Sequence, residues 1–170
     1  MRPQNCFEEG GANGVQNAEL IDFFDKYSNM VFRLAMSYLH HTQDAEDVVQ
    51  AVFLKFIEKH AVPEFGKERA FLTRITVNHC KDVLRSAWKK RIDTLDDGII
   101  FKQEDDRELY DSIMALDVKY RVVIYMHYYE GYSFSEISDF LKIGSSTVSM
   151  RIHRAKKKLK NILQEDNYEV

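Results

Sequence analysis

Only two cysteines, two prolines and one tryptophan occur among the 170 residues. Cys6 and Cys80 cannot form a disulfide framework, and without CxxC spacing they do not suggest a structural zinc site. No run approaches the ~18 apolar residues of a membrane span, and the opening Met1-Arg2-Pro3-Gln4-Asn5 lacks the apolar core of a secretory signal. The expected location is cytoplasmic, with no membrane insertion. Signatures of catalysis are missing as well. There is no glycine-rich phosphate loop, no metal triad and no nucleophile–base pair, and the six histidines are scattered. The chain is expected not to be an enzyme and to hold no cofactor and no metal. Alternating strand patterns are confined to Ile99-Ile100-Phe101.

What is present is helical periodicity. The chain is 45% hydrophobic and 30% charged, enough apolar residues for a core. Leu20, Phe23, Phe24, Tyr27, Val31, Leu34 and Tyr38 recur at helical spacing. Asp44 reads as an N-cap for a helix over 45–60 that carries Val49, Val52, Phe53 and Phe56 on one face. Pro63 and Gly66 mark a loop before a helix over 68–90. Further helices are predicted over 107–115 and 118–130. Ser133-Phe134-Ser135-Glu136 is a capping box for a short helix. Lys142-Ile143-Gly144 makes a turn, and Ser145 can cap a last helix reaching Leu163. The fold class is all-α: two small helical domains joined by an acidic linker. The boundaries are a disordered extension over 1–16, a first domain over 17–92, the linker over 93–106 and a second domain over 107–166.

The net charge of −3 hides a segregation. Residues 1–60 carry five basic and nine acidic side chains, whereas 61–92 carry eight basic and three acidic. Residues 93–117 hold nine acidic and two basic, and from Lys142 to Gln164 there are seven basic and no acidic residues. Two basic blocks separated by an acidic one suggest two polyanion-contacting surfaces and a linker.

The faces of individual helices refine this. A short capped helix, a glycine-containing turn and a longer basic helix have the spacing of a DNA-binding helix-turn-helix. On the last helix Val148, Ile152, Ala155 and Leu159 form a narrow apolar stripe opposite Ser146, Met150, His153, Arg154 and Lys157. On the 68–90 helix Arg74, Asn78, Lys81 and Arg85 cluster opposite Leu72, Ile75 and Val83. Three cations around one amide suit a phosphate track with a single base reader. Phe65, in the preceding loop, could meet an unstacked base, and Trp88 could either stack or pack. Phe71 is assigned to the core. On the 45–60 helix Asp47, Ala51, Leu54 and Glu58 form an outer face with Gln50 at its edge, a pattern suited to a protein contact.

These stretches resemble the extracytoplasmic-function (group 4) sigma factors of bacterial RNA polymerase, from about Asn17 to Leu163. The likeness rests on Asp44-Ala45-Glu46-Asp47-Val48-Val49-Gln50-Ala51-Val52-Phe53, on Phe71-Leu72-Thr73-Arg74-Ile75 with Asn78, Asp82 and Arg85, and on Tyr132-Ser133-Phe134-Ser135-Glu136-Ile137 followed by Ser146-Thr147-Val148-Ser149-Met150-Arg151-Ile152-His153-Arg154-Ala155. The resemblance implies that the first domain is sigma region 2, binding the polymerase β′ clamp helices and melting the −10 element. The second would be region 4, meeting the β flap and reading the −35 element. It implies polymerase contacts at Asp44, Asp47, Gln50, Ala51 and Leu54. The −10 contacts would be Phe65, Arg69, Arg74, Asn78, Lys81 and Arg85, with Asn78 capturing a flipped base. The −35 contacts would be Ser146, Thr147, Ser149, Met150, Arg151, His153, Arg154, Lys157 and Lys158. Core polymerase, promoter DNA and an anti-sigma factor are the implied partners. Phe71, Asp117, Ser146 and Ser149-Met150 depart from the family pattern; the last pair lies on the reading face, so the −35 sequence does not transfer from relatives. The competing reading is a free-standing helix-turn-helix regulator.

Overall fold

A computed structural model describes residues 13–58, 66–87 and 105–165, and these are helical with no strand among them. The order is α1 (Asn13–Leu39), α2 (Thr42–Glu58), α3 (Glu68–Ala87), α4 (Asp105–Met114), α5 (Val118–Ile124), a π-helical turn at Tyr125–Tyr129, α6 (Phe134–Leu141) and α7 (Ser145–Glu165). Phe65, Trp88, Ile99-Ile100-Phe101 and the linker up to residue 104 lie outside the described residues. Helix α1 begins at Asn13, inside the segment expected to be disordered.

In the first half, α1 buries Tyr27, Val31, Leu34, Ala35 and Tyr38, while α2 buries Ala45, Val48, Val49, Val52, Phe53 and Phe56. These are the i, i+3, i+4, i+7 positions that form one helical face. An aromatic seam ties the helices together: Phe23 stacks on Phe56 at 4.5 Å and Phe24 meets Phe53 at 4.7 Å between ring centroids. His40 ends α1 in the left-handed region (φ 53°), its N–H donating to Met36 O at 3.0 Å. Helix α2 then starts at Thr42, two residues before the expected cap. Asp44 therefore sits in the first turn, where a carboxylate complements the helix dipole, and its N–H donates to His41 Nδ1 at 3.3 Å.

The second half departs from a simple helix at one place. The segment predicted as one helix over 118–130 tightens and then widens into the π turn, closed by Glu130 N–H to Tyr125 O at 3.1 Å. Gly131 follows at φ 70°, a conformation that a side chain would strain. The capping box forms as read. Ser133 Oγ accepts from Glu136 N–H at 3.3 Å, and Ser133 N–H donates to Glu136 Oε2 at 2.8 Å. The turn between α6 and α7 places Lys142, rather than Gly144, in the left-handed region at φ 56°. Ser145 is the first residue of α7, and the carbonyl at the cap position belongs to Gly144, accepting from Val148 N–H at 3.1 Å.

The two halves share a core. One apolar cluster runs from Val31, Leu34 and Val52 through Leu72, Val77 and Cys80 to Val123, Met126, Ile137, Val148 and Ile152. A smaller cluster of Ile113, Leu116, Tyr120, Ile124 and Ala155, with Leu159 and Ile162 against it, seats the far half of α7 on α4 and α5. Burying each Val, Leu or Ile contributes ~1.5–3 kcal/mol. Closure of the two halves is thus mainly hydrophobic, with polar contacts, some of them buried, across the seam.

Candidate polymerase and nucleic-acid interfaces

Helix α2 turns its inner residues to α1 and so directs Asp47, Gln50 and Leu54 to solvent, with Ala51 half-buried between them. Leu54 is 57% exposed although it sits on a helix with a full apolar core face. Ile57, one turn further on, and Ile21 and Phe24 on α1 are exposed large apolar residues as well. Exposed aliphatic side chains beside carboxylates form a contact surface that water does not favour. Ile57 was missed in the sequence, although its i+3 spacing from Leu54 carried the signal.

Helix α3 separates its faces less simply. Leu72, Val77 and Cys80 are buried, while Arg74, Asn78 and Arg85 are exposed. Arg85 pairs with Asp82 at 3.5 Å on the open surface. Buried Thr73 and Thr76 also occupy the inner face, Thr76 Oγ1 donating back to Leu72 O at 2.8 Å. The remaining two predicted cations turn towards the second half of the chain. Arg69 Nη2 contacts Glu130 Oε2 at 2.7 Å and also donates to the Glu130 carbonyl. Its guanidinium lies 4.5 Å from the centre of the Tyr132 ring. Burial opposes its charge, but the Glu130 hydrogen bond and the surrounding negative potential leave its pKa above the ordinary arginine value. Lys81 Nζ donates to Leu141 O at 3.1 Å. Its pKa falls, first through burial and then through Lys142, Arg151 and Arg85.

Further contacts cross the same seam. The Thr73 and Tyr132 hydroxyls are 2.8 Å apart. Arg121 is 5% exposed and has no carboxylate partner among the described residues. It donates instead to the carbonyls of Ser37 (2.6 Å) and Tyr38 (3.4 Å) at the end of α1, and of Met114 (2.7 Å) and Leu116 (3.3 Å) after α4. Unpaired carbonyls at helix C-termini carry negative partial charge, which suits a buried cation. Desolvation lowers the Arg121 pKa. Helical periodicity alone does not single out Arg121.

Helix α7 matches its reading closely. Val148, Ile152 and Ala155 are buried, and Ser146, Ser149, Met150, His153, Arg154, Lys157 and Lys158 are exposed. Thr147 and Arg151 are half-buried at the edge of that face. Lys158 approaches Asp117 at 4.0 Å, and Lys156 lies 5.6 Å from the Tyr128 ring centre. The helix enters solvent with short hydrogen-bonding side chains near its N-terminus and cations beyond. That order fits base edges followed by phosphates.

The comparisons agree with this geometry. The family description sigma-70 region 2 matches residues 23–90, and sigma-70 region 4 matches residues 106–159. The sigma factor CarQ of Myxococcus xanthus is 29% identical, covering 93% of this chain and 96% of that protein. The ECF sigma factor SigE of Mycolicibacterium smegmatis is 26% identical over 85% of this chain, which spans 61% of that longer relative. Among solved structures, the sigma factor RpoE from Bartonella quintana, in complex with the anti-sigma factor NepR, superposes with a TM-score of 0.74 at 17% identity, over 86% of this chain and 97% of that one. CnrH, in complex with the cytosolic domain of CnrY, gives 0.63 at 26% identity, over 91% and 93%. Together these define a sigma-type, promoter-specificity architecture. The chain belongs to the sigma-70 family, as an RNA polymerase sigma factor of the extracytoplasmic-function subfamily.

Proposed function

We infer that this chain binds core RNA polymerase through the α2 face and directs it to promoters, with α3 working on the −10 element and α7 on the −35 element. Region 2 is assigned to 17–92 and region 4 to 107–166, with the acidic 93–106 segment between them. Asp44, Asp47, Gln50, Ala51 and Leu54 form the polymerase contact. Arg74, Lys81, Arg85 and Arg69 hold phosphates of the −10 strand while Asn78 reads one base. Ser146, Thr147, Ser149, Met150 and His153 face the −35 base edges, and Arg151, Arg154, Lys157 and Lys158 its phosphates. The observation that carries the reading is the pairing of two separate basic helices with an exposed acidic-apolar face, Asp47 and Leu54, on the same chain. A self-sufficient regulator needs only the former. RpoE and CnrH each occur bound to a second protein, and an anti-sigma partner is part of the proposal.

Melting follows from chemistry the chain can supply without catalysis of a covalent step. A flipped base must leave its stack at a cost of a few kcal/mol. Cations along α3 hold the strand while the Asn78 amide offers both donor and acceptor. Titrating core polymerase into a promoter-binding assay tests the reading. Promoter-specific binding should appear only with core enzyme present; equal binding by the chain alone would favour a free-standing regulator.

A further inference from the structure

Among the described residues of α7, Met150 is the one large apolar side chain that is exposed, with 46% of its surface open to solvent. It has no part in the core. Val148, Ile152 and Ala155 form the buried stripe of the helix, and Met150 stands on the opposite side. Ser146, four residues before it, and Arg154, four residues after, share its stripe and are exposed as well.

A single exposed apolar residue is ordinary on a protein surface, but the neighbours give this one a direction. Ser146 and Ser149 are short and exposed, so the α7 backbone can approach another surface closely while the longer Met150 side chain stands out from it. Helical side chains lean back over the preceding turn. That carries the thioether over Ser146, towards the N-terminal part of α7, the part that a recognition helix sets against base edges. The base edges in the major groove present hydrogen-bonding groups and one apolar group, the C5-methyl of thymine. A thioether sulfur is only a weak acceptor and donates nothing, so its discrimination comes from apolar contact. We propose that Met150 is a specificity-determining residue of the −35 site and selects a T·A pair through the thymine methyl. The proposal rests on α7 being the −35 helix and adds which chemical group of the DNA one side chain reads. Met150 belongs to the Ser149-Met150 pair that departs from the family pattern, so the preference is a property of this chain's own residues. Arg154, on the same stripe, acts through its charge and weakens with salt, whereas an apolar contact adds nothing to the salt slope.

The test uses holoenzyme and a synthetic promoter copied from a start site that requires the chain in run-off transcription. Each thymine of the −35 element is replaced in turn by deoxyuridine, which removes the methyl and keeps every hydrogen-bonding group of the base. Synthetic duplex contains no methylated cytosine, so any methyl effect belongs to thymine. Fluorescence anisotropy should show one replacement that weakens binding by about three- to fourfold, the effect of one buried methyl-sized group, with an unchanged salt slope. Met150→Ala holoenzyme should bind the thymine and deoxyuridine duplexes equally, and Met150→Leu should retain most of the difference. Both variants should keep their helix content by circular dichroism, because the site is exposed and both residues favour helices. If no replacement matters, or if the same loss persists in Met150→Ala holoenzyme, the assignment to Met150 is overturned; α7 keeps its reading role provided that scrambling the −35 element still weakens binding. If scrambling that element changes nothing, α7 does not read the promoter and both assignments fall.

Discussion

Helices α3 and α7 are both basic and both amphipathic, yet they present their cations differently. Helix α7 turns Arg154 and Lys157 to solvent, whereas α3 turns Arg69 and Lys81 onto the other half of the chain. Arg154 and Lys157 are thus open to solvent, while Arg69 and Lys81 are engaged within the chain. Composition separates the two in part, since α3 carries four basic and two acidic residues and α7 six and one, and packing accounts for the rest.

The largest expected effect breaks the seam itself. Arg121→Met leaves the Ser37, Tyr38, Met114 and Leu116 carbonyls without their donor. Urea denaturation should show a loss of about 3 kcal/mol, since hydrogen bonds to charged groups and orphaned buried acceptors each count in that range. A loss under ~1 kcal/mol would mean that Arg121 adds little to the other contacts that join the halves. Next comes the reading side of α3. Asn78→Ala should reduce discrimination at one −10 position by ~1–3 kcal/mol in open-complex assays on a promoter-variant panel, with polymerase affinity unchanged.

Asp47→Lys probes the remaining surface. Pull-down of core subunits should weaken by roughly tenfold, as reversal of a complementary interfacial charge does, while circular dichroism is unaltered because the side chain is exposed. On α7, Lys157→Ala should weaken binding of the holoenzyme to all −35 sequences alike and flatten the salt dependence by about 0.9 in logarithmic slope. A loss confined to particular sequences would make Lys157 a base reader. The smallest effect concerns Cys80. Burial pushes its thiol up to about 12, so it stays protonated and unreactive towards iodoacetamide at mildly alkaline pH in the folded chain. Denaturation should expose it to labelling, and ready labelling of Cys80 in the native chain, told apart from Cys6 by peptide mapping, would contradict the closed packing.

Much of this was legible in the sequence where a single helix decides the outcome. The stripe Val148, Ile152, Ala155 and the opposing Ser146, Met150, His153 and Arg154 follow from 3.6-residue periodicity, and the structure divides them the same way. The Ser133–Glu136 box is local and formed as read. Contacts between distant segments left no such trace. Arg69 and Glu130 are 61 residues apart, and helical periodicity cannot say which buried face meets which. The buried hydroxyls of Thr73 and Tyr132 are partners across the seam, which neither local pattern marks. The π turn at 125–129 was invisible because Tyr125-Met126-His127-Tyr128-Tyr129 suits an α-helix equally well. Cap positions moved from Asp44 to His41 and from Ser145 to Gly144.

The central claim is that α2, α3 and α7 act together only as part of RNA polymerase. Run-off transcription on a library of genomic fragments, with core polymerase and with or without this chain, tests it most directly. The account predicts a discrete set of start sites that require the chain, share −10 and −35 elements, and disappear with Asp47→Lys. Start sites that are unchanged by adding the chain, or that the Asp47→Lys variant supports as well as wild type, would contradict it.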